Sequence, residues 1–356
     1  MDSKFGKNIG LSAACLLAAC SAMAEELIGE KKTEAQMTLE LASKELGASG
    51  ITLAPGITLA GLFEISTVYE KQSDNKSNVN VDTVEFALNA EFCETVRAEA
   101  VALWEEGSDE DSVVDTAFVE FGGSDDFPLV VSVGRQYLPF GAFNSLMISD
   151  PLTLELGETR ETAVAASCDV GRFALWAGVF SGELDSVDAI ENGVASLIAN
   201  PTEGLSFGFS VLSDLGEGGY VDTINAVLAD EGVYHKSGGM SAFFFAEYNA
   251  FIFSAEYLCA LEEMVLEKTE SRNAMQPSAW FVDVGYVFND KWTAALRYEG
   301  SRDFLAEEMP KTQVGGMIRW QVNDLASIST EYLYGQFDND EIDDRHIATV
   351  QLVLMF

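Results

Sequence analysis

The sequence predicts an all-β protein, a transmembrane antiparallel β-barrel, and three observations lead to that fold class. Apolar and polar residues alternate with a period of two over most of the chain after residue 50. The alternating segments are joined either by tight turns or by long acidic loops, the asymmetry typical of a membrane barrel. The segment from Arg345 to Phe356 also alternates, so it can pair with the first strand and leave no edge. We expect about fourteen to sixteen strands and prefer sixteen, which would leave an aqueous channel.

The start of the chain is predicted to direct export. Lys4 and Lys7 precede a short apolar stretch with an A-x-A cleavage site, the pattern of a signal peptide over residues 1–24. A competing interpretation is lipoprotein processing, which would leave a lipid on Cys20. Either route exports the protein, and the barrel is predicted to occupy residues 51–356.

Residues 25–50 are predicted to form a short periplasmic amphipathic helix or linker. Ala35, Leu39, Ala42 and Leu46 recur at helical spacing, with lysines and glutamates between them. The helix either lies against the barrel or forms a coiled coil that makes the protein a homotrimer. Both interpretations stay open at this point.

The strands are predicted from the alternation in order along the chain. The segments with the clearest alternation are 57–70, 84–92, 205–211, 280–288, 292–298, 314–320 and 345–356. Residues 242–258 are apolar enough for a helix, but Glu247, Asn249 and Glu256 interrupt them, so we expect two strands joined near Asn249. Aromatic residues near strand ends predict the girdles of a membrane barrel: Tyr69, Trp104, Trp280, Phe288, Trp292, Tyr298, Trp320 and Tyr334.

Composition excludes several classes of protein. Acidic residues outnumber basic ones 58 to 20, for a net charge of -38, which argues against nucleic-acid binding. The 23 Phe, 10 Tyr and 5 Trp argue against a disordered acidic chain. After the signal the sequence has no apolar stretch of about 18 residues, so membrane-spanning helices are not expected. We therefore expect outer-membrane lipids as partners and the Gram-negative outer membrane as the location. The source of the acidity is left open, a salty habitat being one explanation.

Catalytic and metal motifs are lacking in the sequence. The mature chain holds Cys93, Cys168 and Cys259, an odd set without C-x-x-C spacing. The only histidines, His235 and His346, have no Ser or Asp in a recognisable triad order. We predict no catalytic residue, no metal site and no cofactor, and we do not expect an enzyme.

Charged residues on the polar faces of the strands are predicted to line the lumen. Four arginines and two glutamates are assigned to this lining: Arg97, Arg172, Arg297, Arg319, Glu85 and Glu299. Glu64, Glu99, Asp283 and Glu331 fall on the same faces. Arginine stays charged and pairs with carboxylates in a fixed geometry, which suits a polar pore crossed by an electric field. The alternative, salt bridges that only hold the wall together, stays open.

One segment resembles a known family. Residues 133–161, VGRQYLPFGAF followed by NSLMISDPLTLELGETRE, resemble siderophore porins of the legiobactin-receptor (LbtU) type. The resemblance implies an outer-membrane barrel that admits a ferric siderophore. Proline and glycine in this segment break strand structure, so we expect a long excursion that either folds into the lumen or packs on the rim. In the first case the candidate constriction residues are Arg135, Asp150, Glu158, Arg160 and Glu161.

Chain length limits the transport mechanism. An energised receptor needs about 22 strands and a plug, more than a chain of 356 residues can build. We predict a plug-free porin for passive passage of a small hydrophilic solute. The alternatives are a structural barrel that anchors the envelope and an outer-membrane hydrolase.

Overall fold

The computed structural model of the chain describes residues 50–107, 113–124, 127–184, 189–229, 232–268, 271–304, 309–339 and 341–356. The predicted signal peptide, the Cys20 lipidation site and nearly all of the predicted helix at 25–50 lie outside the described residues. These three predictions therefore stay predictions.

Sixteen strands close into one antiparallel barrel, as preferred from the sequence. Seventeen strands belong to the main sheet, and the first of them, β1 (Ile51–Ala54), pairs only with β2. In chain order the barrel strands are β2 (Ile57–Lys71), β3 (Asn75–Cys93), β4 (Val96–Trp104), β5 (Val114–Ser124), β6 (Phe127–Tyr137), β7 (Arg160–Val170), β8 (Phe173–Phe180), β9 (Asn192–Thr202), β10 (Leu205–Leu212), β12 (Gly239–Tyr248), β13 (Phe251–Ala260), β16 (Ser278–Asn289), β17 (Trp292–Arg302), β18 (Thr312–Asn323), β19 (Ala326–Gln336) and β20 (Arg345–Met355).

A smaller sheet and two short helices are not part of the barrel wall. Strands β11 (Val233–His235), β14 (Met264–Lys268) and β15 (Ser271–Met275) form the three-stranded sheet. Helix α1 (Leu152–Gly157) follows β6, and helix α2 (Val221–Ala229) follows β10. Within the described ranges, no helix is both long and apolar enough to cross a membrane.

The barrel closes where the last strand meets the first long one. Strand β20 pairs with β2 from Met355 opposite Leu62 to His346 opposite Lys71. Beyond this ladder, Gly61 and Phe356 exchange two backbone hydrogen bonds of 3.0 Å. A Cβ on Gly61 would lie 2.5 Å from the Phe356 ring, so the aromatic side chain sits where only glycine leaves room. The predicted closure by the final strand is confirmed.

The two ends of the barrel differ in their connections. Turns of two residues join β3 to β4, β7 to β8, β16 to β17 and β18 to β19 at one end, here called the turn end. The longest connections lie at the other end, here called the loop end, together with the three-stranded sheet. The predicted pair of strands around Asn249 is confirmed, since Asn249 has φ 55 in the turn between β12 and β13.

The wall is apolar outside and polar inside. Outward residues such as Phe207, Phe209 and Ile318 are exposed, while Ser206 and Ser210, on the opposite face of β10, are buried. This alternation places an apolar belt toward lipid, as a membrane barrel requires. Several of the predicted girdle residues are exposed on this face, among them Trp104, Phe288 and Tyr298.

Candidate functional site: the lumen and the inward segment

After β6 the chain leaves the wall and folds into the lumen over residues 138–159, here called the inward segment. Its two ends stay together on the wall, because Leu138 N donates to Thr159 O at 2.8 Å. Gly141 and Phe143 have φ values of 86° and 51°, which prevents continuation of the strand. The segment then runs along the inner faces of strands on the opposite side of the barrel.

Glu256 of β13 holds the first part of the inward segment. Its carboxylate oxygens accept from Ala142 N at 2.8 Å and from Phe143 N at 2.9 Å. The hydroxyls of Ser241 and Thr153 donate to the same carboxylate at 2.6 and 3.3 Å. The side chain is 3% exposed, so these donors replace the water that the carboxylate would otherwise bind. Hydrogen bonds to an ionised acceptor are among the strong ones, and this group fixes the path of the backbone.

Three more wall carboxylates bind backbone amides farther along the inward segment. Asp283 accepts from Leu146 N at 3.1 Å, Glu331 from Ile148 N at 2.7 Å and Glu299 from Leu152 N at 2.9 Å. Together with Glu256 they form a set that we name the clamp carboxylates. Because each clamp carboxylate belongs to a different strand, the inward segment is bound to the wall at four places in addition to its two ends.

Arg297 balances the charge of two clamp carboxylates. Its Nε lies 3.0 Å from Asp283 Oδ1, and one terminal nitrogen lies 3.7 Å from Glu299 Oε1. The same nitrogen donates to Ser149 O at 2.9 Å. The side chains of all three charged residues are fully buried, which is tolerated because each finds several partners. Arg297 therefore serves the attachment of the segment rather than facing open water.

Apolar packing fills one side of the lumen. Leu138, Phe140 and Leu156 of the inward segment belong to a buried cluster that extends into the loop end. The other members come from helix α1, from β7 to β16 and from the elements at the loop end: Leu152, Ala163, Phe180, Val194, Leu212, Leu215, Tyr220, Ile224, Leu258, Ala260, Met264, Leu266 and Ala279. A second cluster packs Met147 against Ala295, Met317 and Leu333 of β17 to β19. These clusters leave the side of β2 to β5, where the described inner wall carries the smaller cluster of Ala60, Ala87 and Val101, as the side on which an open passage can lie.

This side, here called the open side, is lined by carboxylates of the barrel wall and by carboxylates of the inward segment. The wall contributes half-buried or buried acids of β2 to β5, and the inward segment contributes its own acids opposite them. These open-side carboxylates are Glu64, Asp82, Glu85, Glu99 and Asp115 on the wall, and Asp150, Glu155 and Glu158 on the inward segment. Glu64 lies within electrostatic reach of Asp150, and Asp115 within reach of Glu158, so the two acidic faces meet.

Arginines near the open side are each engaged with a neighbour. Arg160 forms an ion pair with Asp115, and the Tyr137 hydroxyl donates to the same carboxylate at 3.0 Å. Arg97 pairs with Glu120 at 3.2 Å, and Arg319 donates to Ser329 Oγ at 3.3 Å. These contacts neutralise some acids and leave most open-side carboxylates facing the passage. The balance along the passage is therefore negative.

The pKa of Glu158 is higher than that of an ordinary glutamate. Glu158 belongs to the inward segment and not to a spanning strand. Burial, and then the nearby carboxylates of Asp150 and Asp115, raise the pKa of Glu158 to about 7. Its charge therefore changes over the neutral pH range.

The predicted constriction residues separate into two groups. Asp150 and Glu158 lie on the inward segment on the open side, and Arg160 lies at its base against Asp115. Arg135 and Glu161 are neighbours at the base as well, but Glu161 is buried within reach of Glu183 and Glu217 at the loop end. The Nε of Arg135 is buried without a hydrogen-bond partner among the described residues. The predicted role of Arg135 in the constriction stays a prediction.

One predicted lumenal residue is misplaced and several were missed. Arg172 lies exposed in the tight turn between β7 and β8, where it donates to Pro201 O, so its assignment to the lumenal wall is wrong. The reason is that β7 ends at Val170 and β8 begins at Phe173, so residue 172 belongs to neither strand. Asp115 was missed because a β-bulge interrupts the alternation there. Glu256 was noticed only as a polar interruption of an apolar stretch.

Comparison with known proteins begins with sequence. No family model matches the chain. It is 26% identical over 275 residues to a UPF0422 protein of Coxiella burnetii, covering 69% of this chain and 56% of that protein. A UPF0422 protein of Legionella pneumophila strain Paris is 24% identical over 201 residues, which are 52% of this chain and 36% of that protein. The chain thus spans about half the length, or less, of these relatives.

Solved structures with the same fold are outer-membrane channels. The channel DcaP of Acinetobacter baumannii superposes with a TM-score of 0.63 at 13% identity, covering 86% of this chain and 100% of that one. OmpF of Salmonella typhi gives 0.60 at 12% identity, with 86% and 100% covered. An anion-selective porin from Comamonas acidovorans gives 0.60 at 9% identity, with 84% and 99% covered. At these identities the likeness establishes the porin fold alone. The legiobactin-receptor type is not among these relatives.

Proposed function

We propose that the protein is a plug-free porin of the Gram-negative outer membrane that passes small hydrophilic cations by diffusion. The observation that carries the proposal is the acidic lining on both faces of the open side, Glu64, Glu85 and Glu99 against Asp150 and Glu158. A passage walled by one sign of charge in a low-dielectric surround concentrates the opposite sign. The inward segment is then the constriction, and the loop end faces the exterior.

We propose that the charge selectivity of the passage is set by its lumenal side chains and not by the barrel fold. The anion-selective porin named above shares the fold, so the fold is compatible with either sign of permeant ion. In this chain Arg97 is paired with Glu120 and Arg160 with Asp115, while Arg319 contacts the neutral Ser329 and keeps its charge, so the open-side carboxylates outnumber this arginine. This arrangement favours cations.

A ferric siderophore is the finer proposal for the solute. Support comes from the resemblance of residues 133–161, the stretch that contains the inward segment. The acidic lining adds a condition on the chelate: a neutral or positively charged ferric complex passes, and a complex with free carboxylates is repelled. Uptake of a cationic trihydroxamate iron complex compared with a polycarboxylate complex, in cells with and without the protein, tests this condition.

The direct test of the porin proposal is solute flux into proteoliposomes. Lysine, glutamine and glutamate are similar in size and differ in charge, and we expect rates in that descending order. The variant E85Q/E99Q should lower the lysine rate at least threefold relative to glutamine. The matched control E203Q/E247Q removes the same charge at exposed positions of the turn end and should leave the rates unchanged.

The alternatives make different predictions for the same preparation. A barrel that only anchors the envelope would pass none of the three solutes. The two histidines give little support to a hydrolase, because His235 is exposed in β11 and His346 contacts Tyr332 on the outer wall. An assembly of three copies stays a proposal, tested by the mass of the unheated protein in mild detergent.

A further inference from the structure

A groove opens on the outer wall near the loop end of β2, β19 and β20. It has a volume of about 240 Å³ and is lined by Tyr69, Lys71, Tyr332, His346 and Ala348. The strand register explains why these residues meet. Tyr69 lies opposite Ala348, which lies opposite Tyr332, and the next row toward the loop end has Lys71 opposite His346. Two tyrosines thus form a lower row and two basic groups an upper row.

The groove faces away from the lumen. Tyr69 is 45% exposed and Tyr332 is 50% exposed, while Glu331 and Leu333 on either side of Tyr332 are buried inward. Since the outer face of the barrel is the lipid face, the groove lies where the membrane meets the exterior. Tyrosine is enriched at that level because its ring is apolar and its hydroxyl is polar.

The upper row can bind an anion. Lys71 is exposed and has no ion pair within the described part of the chain. His346 Nδ1 lies 2.7 Å from the Tyr332 hydroxyl. When that hydroxyl donates, Nε2 carries the ring hydrogen and is free to donate outward. Asp344, the nearest acid in sequence, accepts from the Tyr334 hydroxyl at 2.5 Å instead.

An uncompensated cation is uncommon in this chain. Acidic residues outnumber basic ones 58 to 20, and the described basic groups near the lumen are paired with neighbours. Basic groups beside aromatic rings at the membrane surface recognise anionic lipid head groups. The outer leaflet of the Gram-negative outer membrane presents phosphorylated glycolipid, the lipid A portion of lipopolysaccharide.

We propose that this groove binds a phosphate of lipid A, with Lys71 and the His346 imidazole as donors and the Tyr69 and Tyr332 rings beside the sugar or first acyl carbons. The inference rests on the outer-membrane location in the proposed function but is independent of the transported solute. A charged residue at this position also fixes the depth of the barrel in the membrane.

The test is retention of lipid A by the folded full-length protein in mild detergent, counted by native mass spectrometry. The probes are hexa-acylated lipid A and the same lipid without its phosphates. We expect the wild type to retain the phosphorylated lipid, and K71Q/H346Q to retain at least threefold less. K71R, which keeps the charge, and K291Q, which removes a lysine from the turn end, should match the wild type. Heat-modifiable migration verifies that each variant is folded.

Four outcomes would overturn the proposal. Equal retention by K71Q/H346Q and wild type would show that the groove does not contribute. Equal binding of dephosphorylated lipid A would remove the phosphate from the interaction. Displacement of the lipid by millimolar inorganic phosphate alone would assign the groove to free phosphate. A change in the number of protein copies without a change in lipid count would assign it to contact between copies. Flux measurements are unaffected by these outcomes, so a failure here is distinguishable from failure of the porin proposal.

Discussion

At the scale of single residues, Glu256 decides where the inward segment lies. In a buried site it accepts two backbone amides and one hydroxyl from the segment and a further hydroxyl from Ser241 of the neighbouring strand, so it joins three donors of the segment to the wall. From sequence, this residue was visible as a polar interruption, but its partners were not, because they are separated from it by more than 100 positions.

Replacing Glu256 should loosen the inward segment. In E256A the amides of Ala142 and Phe143 lose their acceptor, and each buried unsatisfied donor costs about 1–3 kcal/mol. We expect a larger mean single-channel conductance with more open-channel noise in planar bilayers. The control E247A removes an exposed glutamate of β12 and should conduct like the wild type. Unchanged conductance and noise in E256A would mean that the remaining attachments suffice.

Glu158 should make selectivity depend on pH. Because burial and the carboxylates of Asp150 and Asp115 raise its pKa to about 7, Glu158 is mostly neutral at pH 6 and mostly ionised at pH 8. Arg160, Glu155 and Tyr137 face the same site, and Arg160 opposes the rise. The cation preference should therefore increase from pH 6 to pH 8, and E158Q should reduce that increase. A pH profile identical in wild type and E158Q would contradict this role; E203Q serves as the control.

At the scale of elements, closure depends on the fit between β2 and β20. Gly61 and Phe356 exchange backbone hydrogen bonds, and the aromatic ring covers the glycine. The alternation of the last strand was sufficient to predict pairing with the first long strand. The glycine contact could not be predicted, since it depends on the register of Met355 opposite Leu62.

A side chain at position 61 should interfere with closure. In G61V the new Cβ lies within 2.5 Å of the Phe356 ring unless the strand end moves, so we expect a lower yield of heat-modifiable protein. In the double variant G61V/F356A the clash is absent, and its yield should equal that of F356A alone. If G61V lowers the yield equally in both backgrounds, the contact with the ring is not the cause.

The inward segment illustrates what sequence reasoning can reach at this scale. The strand-breaking residues after Tyr137 predicted an excursion, and the excursion exists at 138–159. Whether this segment lies in the lumen or on the rim could not be predicted from the sequence, because its position depends on long-range hydrogen bonds to Asp283, Glu299 and Glu331. The alternation predicts that Arg297 and Glu299 point into the barrel, where the structure places them. Their hydrogen bonds to the inward segment are visible only in the structure.

At the scale of the whole molecule, the excess of acids has a spatial meaning. The net charge of -38 gave no indication of which surface carries it. Some of the acidic residues are the clamp carboxylates, which bind backbone amides of the inward segment. Others are the open-side carboxylates, which line the passage. Both interpretations of the lumenal arginines left open by the sequence apply: Arg97, Arg160 and Arg297 form ion pairs with acids, and the open-side carboxylates outside these pairs carry the negative charge of the passage.

Location and folding can be tested on the same whole-molecule basis. A closed barrel resists detergent until it is boiled, so the protein should sediment with outer membranes and migrate faster on gels before heating. Recovery in the soluble periplasmic fraction would contradict the outer-membrane assignment. Matched extraction of a known periplasmic protein controls for incomplete lysis.

The most direct test of the acid-lined passage is the reversal potential of the purified protein in a planar bilayer with a tenfold KCl gradient. We expect a reversal potential of the sign for potassium permeation. It should shrink as both solutions approach about 1 M salt, where the screening length falls to about 3 Å. E85Q/E99Q should move it toward zero, and E203Q/E247Q should not. A reversal potential of the sign for chloride, or a protein that inserts without conducting, would contradict this expectation.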